Sequence, residues 1–357
     1  MDVATFFRKS RVLVVAGKGG VGKTTMTAAL ARMAAHAGLS VLVVELEGKS
    51  GVPTAFGGSG ALQYDESLLS GLDSDSGTRP VTGDGTVRAR RITPDDALLE
   101  YLADHGMKRI SRRLVTSGAL DVVATAIPGI RDILVLGKVK SLERQAVADL
   151  ILVDAPATGH AMTFLSSAQG LLDAARSGPV RAQAADVVEL LSDPARCQVA
   201  LVTLPEEMPV NEVVEAAYAL EDRIGISLGP VIVNSCLPAE PMLACDPDVA
   251  ASEVGTTLDD DQAAALRSAA EFRAHRFRIQ EEQRARLRAE LPLPQLEAPF
   301  LFTDGIGPDE LDRLASMLAD AVHRLPEDEP RVAHRAPVQD DEPGDEAGEN
   351  ADGEMIS

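Results

Sequence analysis

Five stretches of the chain are apolar at nearly every position: Val12–Ala16, Val41–Leu46, Leu150–Val153, Val199–Thr203 and Val231–Val233. Short β-branched or aliphatic runs without alternation are the pattern of strands buried on both faces. Between them the apolar residues recur at helical spacing, as in "TTMTAALARMAAHAG", which stops at Gly38. Strand, helix and strand in succession predict an α/β fold on a doubly wound, mostly parallel sheet.

About a hundred residues separate the second and third of these runs, far more than a crossover needs. The stretch opens with the Gly/Ser/Asp loop "SGLDSDSGTRPVTGDG" and then reads as helix. In "ITPDDALLEYLADHG" Thr93 is the expected N-cap, Pro94 the first helical residue and Asp96 the residue three past the cap. "GALDVVATAIPGIRDILVLGKV" follows, apolar and broken at Pro128–Gly129. A helical insertion is therefore expected over about residues 60–148, within a domain spanning residues 1–325. Asp259–Leu291, rich in Arg and Glu, predicts a long surface helix. Residues 326–357 carry eleven acids against two arginines among Pro and Gly, the composition of an acidic disordered tail.

Composition narrows the function classes. The net charge of −21 argues against nucleic acid as a partner. No apolar run approaches the roughly 20 residues of a membrane span, and "MDVATFFRKS" is too short for a secretory signal. Cys197, Cys236 and Cys245 form neither a paired framework nor a C-x-x-C site, which fits a reduced, cytoplasmic setting.

The chemistry concentrates in "VLVVAGKGGVGKTT", residues 12–25. Gly17, Gly22, Lys23 and Thr24 fit the phosphate-loop pattern G-x-x-x-x-G-K-[ST] between a strand and a helix. Glycines let the backbone N–H groups of Gly17, Lys18, Gly19, Gly20, Val21, Gly22, Lys23, Thr24 and Thr25 approach phosphate oxygens at a helix N-terminus. Lys23 would neutralise the β- and γ-phosphates of ATP, and the Thr24 hydroxyl would ligate Mg²⁺. Asp154 ends the apolar run "ILVD", where it would hold Mg²⁺ directly or through water.

Lys18 is a second lysine the basic pattern does not need. "KGGVGKTT" resembles the deviant Walker A loop of the ATPases that include MinD, ParA, the nitrogenase iron protein and the ArsA arsenite-pump ATPase. That resemblance implies a dimer in which Lys18 reaches the partner's nucleotide. "VDAPATGH" is similar to the switch II segment of ArsA and of the ATPase that targets tail-anchored proteins, placing the Thr158 and Gly159 backbones near the γ-phosphate. His160 is then a switch residue, or a packing histidine. Aligning Ala55-Phe56-Gly57 with these relatives puts Glu47 where they carry the aspartate that positions the attacking water, with Glu45 as fallback or as a strand-end structural carboxylate. Asn234 in "VIVNSCLP" corresponds to the residue at the adenine edge, though a turn asparagine before Pro238 reads the same. Pro299, Phe300 and Leu301 correspond to the loop on the adenine ring, and a buried apolar turn also fits them.

The resemblance runs from about Arg11 to Leu325, with "ELEGKSG", "PGIRDILVLGKVK" and "SGPVRAQAADVVELL" looking like the actinobacterial anion-transporting-ATPase branch. It implies catalytic roles for Glu47, Lys18 and Lys23, the cofactors ATP and Mg²⁺, and a homodimer or a heterodimer with a paralogue. The leading expectation is an ATP-hydrolysing switch that rearranges a helical region gripping a protein client. Two alternatives stay open: a regulatory partner with weak hydrolysis of its own, because Glu47 and its neighbours depart from the usual switch I, and an arsenite or anion efflux ATPase. The insertion has no cysteine for arsenite, and the acidic C-terminus is unlike the basic membrane-docking helix of MinD.

Overall fold

The computed structural model describes residues 1–46, 51–70, 85–104 and 129–326. In chain order its longer elements are α1 (Val3–Phe7), β1 (Val12–Gly17), α2 (Lys23–His36), β2 (Val41–Leu46), α3 (Gly51–Ala55), β3 (Ser67–Ser70), β4 (Val87–Ile92), α4 (Pro94–Asp104), α5 (Ile130–Arg144), β5 (Leu150–Ala157), α6 (Thr158–Ala174) and α7 (Pro179–Ser192). There follow β6 (Cys197–Thr203), α8 (Glu207–Tyr218), β7 (Leu228–Cys236), α9 (Pro247–Glu253), α10 (Asp260–Glu290), β8 (Gln295–Pro299) and α11 (Pro308–His323). A π-helical turn, Ala219–Ile224, continues α8.

The eight strands form one sheet in the order β3-β4-β2-β5-β1-β6-β7-β8. All neighbouring pairs are parallel except β3 with β4. Successive residues of a strand face opposite sides, so one apolar strand serves two cores. Val12, Val14 and Ala16 pack with α5, α6, α7 and α8 on one face. Leu13 and Val15 pack with α1, α2 and α11 on the other. This is the doubly wound sheet the five apolar runs predict, and residues Met1–Leu325 make one compact unit.

The stretch between β2 and β5 departs from a purely helical insertion. It adds β3 and β4 to the sheet, with β4 pairing parallel to β2 from Val41↔Val87 to Leu46↔Ile92. The α4 start follows the predicted cap: Thr93 Oγ1 accepts from Asp96 N at 3.1 Å and donates to Asp96 Oδ2 at 2.7 Å. Residues 105–128, which include much of the apolar stretch before Gly129, lie outside the described residues. So does the acidic tail beyond Pro326. α10 is the long Arg/Glu helix, opened by a capping box between Asp259 and Gln262.

Candidate functional site: a phosphate loop at the strand ends

In open α/β sheets ligands bind beyond the carboxyl ends of the strands, and the sequence-marked residues gather there. β1 runs out at Gly17, level with Ala157 of β5. A Cβ on Gly17 would stand 2.2 Å from the Val202 carbonyl oxygen of β6, so the loop leaves the sheet where only glycine fits. The loop closes at Gly22, in the left-handed region at φ 90°, as N-cap of α2. A Cβ there would meet Asn234 Nδ2 at 2.4 Å. Gly19 and Gly20 have no such neighbours within about hydrogen-bonding range, leaving the loop's surface open above the α2 N-terminus.

Lys23 begins α2 and is buried, and its ammonium donates to the Lys18 carbonyl oxygen at 2.8 Å. Thr24 Oγ1 donates to Asp154 Oδ2 at 2.7 Å, although 130 residues separate them. Asp154 is fully buried on β5. Two hard oxygens at that separation suit neighbouring positions of an octahedral Mg²⁺ shell, whose adjacent oxygens lie about 2.9 Å apart for ~2.05 Å bonds. The donor set therefore fits the ion. Thr25 and Val21 complete the loop, Val21 buried beneath it.

Glu45 is fully buried at the end of β2 and accepts from Val52 N at 2.8 Å. Of the two candidate carboxylates, Glu45 makes the hydrogen bond expected of a strand-end structural residue. Glu47 lies outside the described residues. Thr158 and Gly159 open α6 directly after β5, with Gly159 uncrowded. Asp132, in the first turn of α5, is held above the ordinary carboxylate range by burial, against the pull of Arg131 and His160.

Asn234 does more than mark a turn. Its amide donates to the Val21 carbonyl at 2.9 Å and accepts from Ser235 N at 2.8 Å, fastening the phosphate loop to the end of β7. Ser235 takes a positive φ of 60°. Gln280 of α10 braces the same bend, accepting from Leu237 N at 2.8 Å and donating to Ser235 O at 3.3 Å. Pro299 is level with Cys236, and Phe300 N donates to Cys236 O at 2.8 Å, which brings the Pro299–Leu301 segment alongside Asn234. Phe300 also packs edge-on against the exposed Phe302, over which Arg273 lies 5.7 Å from the ring centre.

The family model described as anion-transporting ATPase (ArsA) matches residues 10–176 and 174–251, which takes in the loop, Asp154 and Asn234. The chain belongs to the ArsA ATPase family. Among relatives, ATPase BagA of Mycobacterium tuberculosis is 35% identical over 335 residues, covering 87% of this chain and 92% of that protein. The arsenical pump-driving ATPase of Escherichia coli is 29% identical over 252 residues, 64% of this chain and 40% of that one. The ATPase get3 of Neurospora crassa is 29% identical over 159 residues, 44% and 43% respectively. As an ArsA-family member the protein binds and hydrolyses ATP. No described helix is long and apolar enough to cross a membrane.

Sequence reasoning missed Glu212, Gln280 and Arg273. Glu212 forms an ion pair with Lys18 across 194 positions of chain. No motif marks any of the three, because each lies on α8 or α10 and acts on a residue distant in the chain.

Proposed function

We propose that this ATPase is a Mg²⁺-ATP-dependent dimeric switch of the cytoplasm, as a homodimer or with a paralogue, that alters its grip on a protein client. The observation that carries the reading is the convergence of Thr24 and Asp154 beside an open phosphate loop whose extra lysine is Lys18. In this reading the loop's N–H groups bind the phosphates, and Lys23 leaves the Lys18 carbonyl to neutralise them. Thr24 and Asp154 hold Mg²⁺, which supplies charge neutralisation on the phosphates when bound. Glu47 positions the attacking water, and Lys18 acts on the partner's nucleotide. Asn234 reads the adenine edge with its remaining amide capacity, and Pro299, Phe300 and Leu301 border the ring.

Hydrolysis would be sensed at Thr158 and Gly159, and α6 would pass the change on. α5 is the natural recipient, since Leu165, Ala168 and Leu171 of α6 share a core with Ile133 and Leu136 of α5. α5 is also fixed by ion pairs on both sides, Lys138 to Glu100 of α4 at 2.5 Å and Lys140 to Asp186 of α7. The segment joining α4 to α5 is the proposed client region.

The test is nucleotide affinity and single-turnover hydrolysis. Lys23→Ala should weaken ATP binding at least tenfold, and Asp154→Asn should lower turnover about a hundredfold while retaining nucleotide. Unchanged ATP affinity in Lys23→Ala would end the phosphate-loop reading.

A further inference from the structure

Lys18 is the only charged residue between Gly17 and Gly22, yet its ammonium is paired away from the loop. It forms an ion pair with Glu212 Oε1 on α8, both side chains about one-third exposed at 38% and 33%. Its own carbonyl meanwhile accepts the Lys23 ammonium at 2.8 Å. Lys18 is therefore restrained at both ends, by Lys23 on its backbone and by Glu212 on its side chain. An ammonium drawn onto a carboxylate of its own subunit is held away from phosphates across an interface.

We infer that Glu212 is a positioning residue that holds Lys18 on its own subunit in the nucleotide-free state. The inference rests on the proposal that Lys18 acts in trans. Phosphates that draw Lys23 off the Lys18 carbonyl remove one restraint, and Glu212 is the other. The release is inexpensive, because an ion pair this exposed contributes only about 1 kcal/mol. A polyanionic phosphate therefore outcompetes it, while an empty site does not. Glu212 also lines an open groove of about 740 Å³, together with Gly159, Glu215 and Asp222. The restraint thus lies beside the start of switch II, where Gly159 can register the same change.

Four variants and one control test this in the full chain: Glu212→Gln, Glu212→Asp, Lys18→Ala, Lys18→Ala combined with Glu212→Gln, and, as the control, Glu215→Gln. The first readout needs no dimer. Acylation of Lys18 by an N-hydroxysuccinimide ester, followed by peptide mass spectrometry in nucleotide-free protein, should run about threefold faster in Glu212→Gln. Glu212→Asp should restore part of the protection, and Glu215→Gln should match wild type. The second readout is the concentration of a non-hydrolysable ATP analogue, with Mg²⁺, at the midpoint of dimer formation. Glu212→Gln should lower it about fivefold, the equivalent of ~1 kcal/mol, and should have no effect once Lys18 is alanine. An unchanged acylation rate overturns the inference whatever the oligomeric state. So does an unchanged or raised midpoint, or an equal shift in the Lys18→Ala background. If wild type forms no dimer with analogue, alone or with its paralogue, the trans role fails separately, and faster acylation still upholds Glu212 as the restraint.

Discussion

At the scale of single residues, the phosphate loop is legible because its determinants are local. Gly17, Gly22, Lys23 and Thr24 fall within eight residues, so the spacing marks the loop, although the groups that crowd Gly17 and Gly22 come from β6 and β7. Asp154 is legible because a carboxylate that closes an apolar run is costly to bury without a partner. Asn234 was legible as a residue but not in its full task. Its hold on the Val21 carbonyl depends on β7 lying two strands from β1, which no local pattern states. Removing that amide in Asn234→Ala should cost about 1–2 kcal/mol of loop anchoring. Isothermal titration should then show ATP affinity reduced about tenfold, and undiminished affinity would show the loop to be self-supporting. Gly22→Ala should be more severe, since it adds a left-handed penalty to a 2.4 Å clash with the same amide. The cysteines make a further residue-scale prediction. Burial pushes the Cys197 and Cys236 thiols up to about 12, whereas Cys245 is exposed. Ellman's reagent at pH 8 should therefore titrate one thiol rapidly in the native protein and all three only after unfolding.

Among elements, five strands announce themselves and three do not, for a physical reason. β1, β2, β5, β6 and β7 lie inside the sheet and are covered on both faces, so their sequences are continuously apolar. β3 and β8 are the sheet's two edges, and β8 alternates buried with half-buried positions in "QLEAP". β4 reads "VRARRI", three arginines that look incompatible with a strand in the sheet. The structure resolves the conflict: Arg90 lies 4.5 Å over the Tyr64 ring, and Arg88 pairs with Glu66. Charge partners on the preceding segment therefore make that strand possible, and they cannot be read from periodicity. Two predictions belong to this scale. Glu143 of α5 is buried and pairs with Arg196 at 2.8 Å, just ahead of β6. Glu143→Ala leaves the guanidinium without its main partner and should cost about 2–3 kcal/mol in denaturant unfolding. Asp149 accepts from Ser40 Oγ at 2.6 Å and Ser40 N at 2.8 Å, clasping the starts of β2 and β5. Those hydrogen bonds hold its carboxyl below the ordinary aspartate range. Its contribution is then present at neutral pH and lost as pH falls through the lowered value. Solvent screening keeps it small, so Asp149→Asn should lower the melting temperature by only about 1–2 °C at pH 7. The difference should close below the range where free aspartate titrates.

For the molecule as a whole, the fold and the family were both visible in the sequence, because a doubly wound sheet with a phosphate loop is written in a few strands and one motif. The proposed dimer and its proposed client are relations between molecules, which the pattern of a single chain does not encode. In this structure Lys18 pairs with Glu212, and in the proposed function nucleotide would draw it away. The most direct measurement of the central claim is sedimentation velocity with Mg²⁺ and a non-hydrolysable ATP analogue, on wild type and Lys18→Ala, each alone and mixed with the paralogue. The account predicts nucleotide-dependent dimers for wild type, homomeric or mixed, that Lys18→Ala weakens at least tenfold while its nucleotide affinity as a monomer is kept. Monomers in every state, or dimers indifferent to Lys18, would contradict it.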